Sequence, residues 1–174
     1  MSKHWFTSDT HFGHARIIEL SKRPFKSVSE MDEALIANWN ARVNPEDIVW
    51  HLGDFAFGHD PVRLNGLFHR LNGTKHLVIG NHDELNELVL PLPWATTSMI
   101  NVQRIEDTLV TMCHYPMRTW PGSRKGSIHL FGHMHLKFKG TSKSLNVGVD
   151  VCDFAPVLLK EIKSQMKRLP VNDL

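Results

Sequence analysis

Cysteine is nearly absent: Cys113 and Cys152 are the only two in 174 residues, and their spacing matches no metal-binding or redox motif. That excludes a disulfide framework and a thiolate metal site, and it points to a reducing compartment. No apolar run approaches the ~20 residues that span a bilayer, and the opening Met1-Ser2-Lys3-His4-Trp5 carries no apolar stretch of the secretory kind. The expectation is a cytoplasmic chain with no membrane partner. Repeats, low-complexity tracts and linker-like stretches are also missing, so residues 1–174 read as one domain. Excess charge is small, with 20 bases against 18 acids and a net +2, too mild to argue for a nucleic-acid partner by itself. What is present looks globular: 41% hydrophobic and 22% charged residues exclude disorder and collagen. The unusual abundance is histidine, with twelve against a single tyrosine. Histidine is the commonest metal ligand.

Periodicity predicts alternating elements in the first half. Residues 5–8 and 48–52 read as short apolar strands and 76–79 as a third. Residues 15–21 form a short helix, and 23–26 a loop. A second helix carries Met31, Leu35 and Trp39 on one face, with Ser29 as its cap, Asp32 three residues on, and Asn44-Pro45 as its stop. Asp60-Pro61 opens a third helix with the stripe Leu64, Leu67, Phe68, Leu71, which Asn72-Gly73 closes. The second half adds a hairpin, strands 100–105 and 108–114 about Glu106-Asp107, then strands 127–131 and 144–149. A final helix is marked by Leu159, Ile162, Met166 and Leu169. Strand and helix alternating in this way predict an α/β fold.

Charge divides along the chain. Residues 1–87 hold nine bases and twelve acids, residues 88–174 eleven bases and six acids, and no acid lies between Thr108 and Val149. That stretch carries Arg118, Arg124, Lys125, Lys137, Lys139 and Lys143. It reads equally as a solvated basic face or as a wall that attracts anions.

Five polar clusters each follow an apolar strand: Asp9-Thr10-His11, Gly53-Asp54, Gly80-Asn81-His82-Asp83, His114, and Gly132-His133-Met134-His135. Strand ends in open α/β sheets are where ligands bind. The donors are oxygen and imidazole, a set suited to Mn, Fe, Ni or Zn. Asp9, His11, Asp54, Asn81, His114, His133 and His135 are too many for one tetrahedral ion. Two ions sharing one carboxylate would use them all and leave room for a bridging hydroxide.

The ordered set Asp-x-His, Gly-Asp, Gly-Asn-His-Asp, a lone His and Gly-His-x-His, running from Asp9 to about Asp150, resembles the calcineurin-like metallophosphoesterase superfamily. The resemblance implies a two-sheet sandwich flanked by helices, in four layers α/β/β/α. It implies two divalent ions, manganese favoured, and hydrolysis of a small phosphomono- or phosphodiester, nucleotides included. Asp9, His11 and His135 would hold the first ion, and Asn81, His114 and His133 the second. Asp54 would bridge them, and His82 would face the phosphoryl group. One departure stands out: the protein phosphatases of the superfamily carry a further Asp and Arg after Gly-Asp, and Gly53-Asp54-Phe55-Ala56-Phe57-Gly58 has neither. Two other readings are a nuclease, from the acid-free stretch and Trp120, and a non-catalytic module on the same fold.

Further residues carry two readings each. Asp83 caps a helix over 84–90, with orientation of His82 as the lesser option. His14 touches phosphate or merely opens a helix, and Arg118 clamps phosphate or is solvated. Asn146 and Asp150 hold the outer ring nitrogens of ligating histidines. His51 and His129 fall inside strand patterns, as satisfied core or edge residues. His4, His59, His69 and His76 read as surface, Trp120 as packed or stacking, and Cys113 as a buried thiol.

Overall fold

The structure is a computed structural model and describes residues 2–171. In chain order its elements are β1 (His4–Thr7), α1 (Ala15–Leu20), α2 (Val28–Arg42), β2 (Ile48–His51), α3 (Pro61–Arg70), β3 (Thr74–Val78), α4 (Asn81–Leu85), β4 (Thr97–Ser98), β5 (Ile100–Ile105), β6 (Thr108–Cys113), β7 (Ile128–Phe131), β8 (Gly140–Thr141), β9 (Ser144–Asn146), β10 (Val157–Leu158) and α5 (Leu159–Met166).

Successive side chains on a strand point to opposite faces, and the first three strands bury both. Trp5, Val49 and Leu77 turn one way and join Met31, Leu35 and Trp39 of α2 and Leu64, Leu67 and Phe68 of α3. Phe6, Trp50 and Val78 turn the other way and meet Val110, Met112, Leu130 and Leu145, with Leu159, Ile162 and Met166 of α5. One core therefore lies between helices and sheet and a second between two sheets. Among the described residues the sheets have five strands each, ordered β10-β1-β2-β3-β4 and β5-β6-β7-β9-β8. Strands β1 to β4 are parallel, as are β6, β7 and β9, while β10, β5 and β8 are antiparallel edges. This is the two-sheet α/β architecture with flanking helices that the motifs imply. Among the described residues no helix is long and apolar enough to cross a membrane.

Two helix starts differ from the sequence reading. The cap of α2 is Ser27, not Ser29. The Ser27 hydroxyl accepts from Glu30 N at 3.1 Å, and the Glu30 carboxylate accepts from Lys26 N at 2.8 Å. Asp32 is buried elsewhere, accepting from Gly13 N at 3.1 Å and from the Arg63 guanidinium. The helix expected over 84–90 is the short α4, and Asp83 lies inside it rather than before it. Asp60 caps α3 as expected, accepting from Val62 N and Arg63 N at 3.0 Å each.

His51 is fully buried. Thr10 donates to Phe55 O at 2.7 Å, so at 2.9 Å it must accept from His51 Nε2–H. That leaves His51 Nδ1 as an unprotonated nitrogen with no partner among the described residues. A proton added there would find no acceptor, and burial pushes the imidazole down to about 3. The unfolded chain then binds more protons than the folded one between about pH 6.5 and pH 3. Stability is complete above that window and falls with pH inside it, by about 2 kcal/mol at pH 5 for this group alone at ~1.4 kcal/mol per pH unit. In chelator, the unfolding midpoint should fall from pH 7 to pH 5, and His51→Gln should flatten that slope. An unchanged slope in the variant would place the acid sensitivity elsewhere.

Candidate metal centre

Because β1, β2 and β3 run parallel, as do β6 and β7, their C-terminal ends share one edge of the sandwich. The sheets are joined there. Val149 N donates to Ser8 O at 3.0 Å, and the Asp9 carboxylate accepts from His133 N at 3.0 and 3.1 Å across the gap. The turns are strained. Asp9, His11, Asp54, His133 and His135 all have positive φ, between 46° and 65°. Such residues cost roughly 1–3 kcal/mol each and persist where the surroundings over-determine them. Gly53, at φ 91°, permits a close approach: a Cβ there would fall 2.6 Å from Gly80 N and 2.7 Å from His114 Nδ1. At Gly132 it would collide with Ser8 Oγ and Asp9 Oδ2.

The donors fall into two groups about Asp54. Asp9, His11 and His135 have ligand atoms within 4.8 Å of one another, and so do Asp54, His114 and His133. Asp54 Oδ2 lies 3.6 Å from His11 Nε2 and 3.4 Å from His114 Nε2, between the groups. Asn81 Oδ1 joins the second group, 3.2 Å from His114 Nε2 and 3.0 Å from His133 Nδ1. Two tautomers are set by outer bonds. His114 Nδ1–H donates to Leu52 O at 2.7 Å, and His135 Nδ1–H donates to Asp150 Oδ2 at 2.7 Å, so Nε2 of each ring is the nitrogen available to a cation once it gives up its proton. His11 Nε2 is buried with no partner among the described residues. A buried, unpaired imidazole nitrogen amid carboxylates and amide oxygen fits a divalent cation of the oxygen- and nitrogen-binding kind.

The electrostatics agree. Burial opposes charge on His114, yet its hydrogen bond to Asp54 and the charges of Asp9 and Asp54 push it up to about 9. Burial also works to raise Asp54, but the His114 bond, the charges of His114 and His11 and the His82 N–H hold it below the usual carboxylate range. The edge has a surplus of negative charge that draws a positive one inward. Burial, aided by the charges of Arg23, His135 and His82 and against that of Asp54, pushes His11 well down, as a neutral ligand requires.

The other assigned residues are placed as follows. His82 N donates to Asp54 Oδ1 at 2.9 Å, and its half-buried ring meets His11 edge to face at 5.1 Å. Its ligand atom also lies within 4.8 Å of those of His11 and Asp54. Asp83 accepts from Asp54 N, Phe55 N and Gly80 N at 2.8, 2.9 and 2.8 Å. It therefore ties the Gly-Asp turn to the Gly-Asn-His-Asp turn and does not cap a following helix. Burial pushes it up to about 6 against those three donors. His14 sits beside His11, with Nδ1 atoms 3.4 Å apart, and stacks on Phe57 at 4.4 Å. Asn146 holds the main chain rather than a ring nitrogen, donating to His135 O and Phe138 O at 3.0 and 3.1 Å. Arg118 is exposed, with no hydrogen bond or ion pair among the described residues. Trp120 is buried, its indole N–H donating to Ser127 O at 3.3 Å, so its face is not offered to a base.

Arg23 escaped the sequence reading, which made its segment a loop. Its side chain is fully buried. It grips Asp150 through Nε at 2.8 Å and Nη2 at 3.1 Å, and donates to Thr10 O at 2.9 Å and Asp9 O at 2.7 Å. One guanidinium thus braces both the loop that carries Asp9 and His11 and the carboxylate that orients His135. No local signal marks it, since Asp150 lies 127 residues away.

The two-sheet fold gathers the five ordered motifs at one edge, the arrangement that the resemblance to the calcineurin-like metallophosphoesterases implies. The chain belongs to one family with the uncharacterized protein MJ1445 of Methanocaldococcus jannaschii, to which it is 32% identical over 186 residues, covering all of this chain and 99% of that one. It is also 29% identical over 180 residues to the gene 66 protein of Mycobacterium phage D29, covering 86% and 89% of the two chains. Its fold matches the protein of unknown function AQ665 from Aquifex aeolicus at a TM-score of 0.78 and 24% identity, over 95% of this chain and 100% of that one. No protein-family model matches the chain.

Proposed function

We propose that the protein is a divalent-metal-dependent phosphoesterase that hydrolyses a small phosphomono- or phosphodiester at a dinuclear centre. The observation that carries this reading is the position of Asp54 Oδ2, 3.6 Å from His11 Nε2 and 3.4 Å from His114 Nε2. A single carboxylate oxygen is thereby shared between two donor groups. Asp9, His11 and His135 would hold one ion and Asn81, His114 and His133 the other, with Asp54 common to both. Divalent ions held there supply Lewis acidity to a phosphoryl oxygen and bring the pKa of water toward neutrality.

The protein's own part is positional and protonic. The His114–Leu52 and His135–Asp150 bonds aim ring nitrogens inward. Asp83 holds the two turns so that Asn81 and His82, adjacent in sequence, face different partners. His82 hydrogen-bonds a phosphoryl oxygen or gives its proton to the departing alkoxide. As the bond from phosphorus to water oxygen forms, the bond to the leaving oxygen breaks. The working protein is a cytoplasmic enzyme of small anionic substrates.

Purified protein should carry near two ions per chain and hydrolyse aryl phosphates with Mn, Ni, Fe or Zn, and lose turnover in chelator. His82→Gln should lower kcat by about 10²–10⁴-fold, the range for loss of a general acid, with metal content unchanged. Loss of an ion in that variant would make His82 a ligand instead. No turnover with any of the four metals overturns the reading.

A further inference from the structure

The centre opens sideways into a cavity that the ligand set does not explain. Its volume is about 550 Å³, within the 300–1,000 Å³ range of small-molecule sites. Phe57, His59, His82, Leu85, Glu87 and Leu88 line it. His82 belongs to both places, because its ring also meets His11 at 5.1 Å. A group departing past His82 therefore departs into this cavity.

Two features of the lining select what enters. The first is apolar surface left open to water beside the centre: Phe57 is 45% exposed and Leu85 82%. The Phe57 ring is held in place, stacked on His14 at 4.4 Å and 17°, and its N–H donates to Phe12 O at 2.8 Å. A fixed, open aromatic face loses little freedom when a second ring packs on it. The second feature is charge. The lining holds the carboxylate of Glu87 and no lysine or arginine. A further phosphate directed here would meet a carboxylate and, apart from the imidazoles of His59 and His82, no basic side chain.

We infer that this cavity is the leaving-group subsite of the proposed phosphoesterase and that it accepts an uncharged aromatic group. The inference rests on the proposed function and narrows it: the anionic part of the substrate ends at the scissile phosphate on this side, which a polynucleotide chain would not satisfy.

Calorimetric titration of the metal-loaded protein with phenylphosphonate and methylphosphonate separates the two levels. Phenylphosphonate should bind about tenfold or more tightly. Leu85→Ser and Phe57→Ala should each reduce that preference several-fold and leave methylphosphonate affinity unchanged. Leu85 is the cleaner probe, because a side chain so exposed contributes little to folding. Equal affinity of the two phosphonates, or a preference that survives both substitutions, overturns the subsite and leaves the phosphoesterase standing. Failure of both phosphonates to bind, with no turnover of aryl phosphates, overturns the phosphoesterase and the subsite together.

Discussion

Asp54→Asn should be somewhat less stable than the parent when metal-free, gain almost no stability from divalent metal and lose turnover by about 10³-fold or more. The reason is a conflict built into the site. Asp9, Asp54 and Asp83 lie together at 0–2% exposure, and without a cation their charges repel. Asparagine keeps the shape, and its Oδ1 can still accept from His82 N, as Asp54 Oδ1 does at 2.9 Å. It removes the carboxylate that holds His114 charged, so metal-free stability should fall. It also removes the shared anionic oxygen. For the parent, metal at a hundred times its Kd contributes about 2.7 kcal/mol. In a chain of this length that raises the unfolding midpoint by roughly 5–10 °C. Scanning calorimetry with and without Mn should show that rise in the parent and little of it in the variant. The expected loss of turnover matches or exceeds that for one donor removed from a preorganised site. A variant that keeps both ions and the full thermal shift would show that Asp54 is not the shared ligand.

Arg23→Met should be the most damaging change away from the donors themselves. Removing one member of a buried ion pair costs about 3–5 kcal/mol, because the remaining charge is left uncompensated. Here that charge is Asp150, which would keep only His135 as a partner. The Asp9 and Thr10 carbonyls would lose their donors as well. Beyond stability, the loss of this support should weaken metal binding by about 10–100-fold. The positional role has its own readout: the imidazole nitrogen shifts of His135 should change, because Asp150 no longer holds Nδ1–H in one orientation. Arg23→Lys restores the charge but not the planar fork, so it should recover part of the stability and less of the affinity. Full metal affinity and unchanged His135 shifts in a folded Arg23→Met variant would reduce Arg23 to a fold element.

The donors could be named from the sequence because each follows an apolar strand. A strand four to six residues long brings its final turn to a sheet edge whatever lies beyond. The order of the motifs then narrowed the choice of edge. Ser27 displaced Ser29 as the α2 cap because two Ser-x-x-acid frames overlap in Ser27-Val28-Ser29-Glu30-Met31-Asp32. Local pattern does not rank them, and the burial of Asp32 against Gly13 and Arg63 does. Asp83 was read as a cap because an acid before a helical run usually is one. Its three acceptances are made with turns that include residues almost thirty positions earlier. Trp120 read as packed or stacking, and the fold packs it, with its indole N–H donating to Ser127 O.

The sequence by itself determined the strand ends, the chemistry of the donors and the class of fold, since these follow from periodicity, residue type and spacing. Only the tertiary structure decided which oxygen sits between the two donor groups, which nitrogen of His114 and His135 points inward, and that Arg23 braces the site. Those are properties of side chains brought together from distant parts of the chain. Hydrogen bonds act over about 3 Å, a distance along which neighbours in sequence carry no information about neighbours in space.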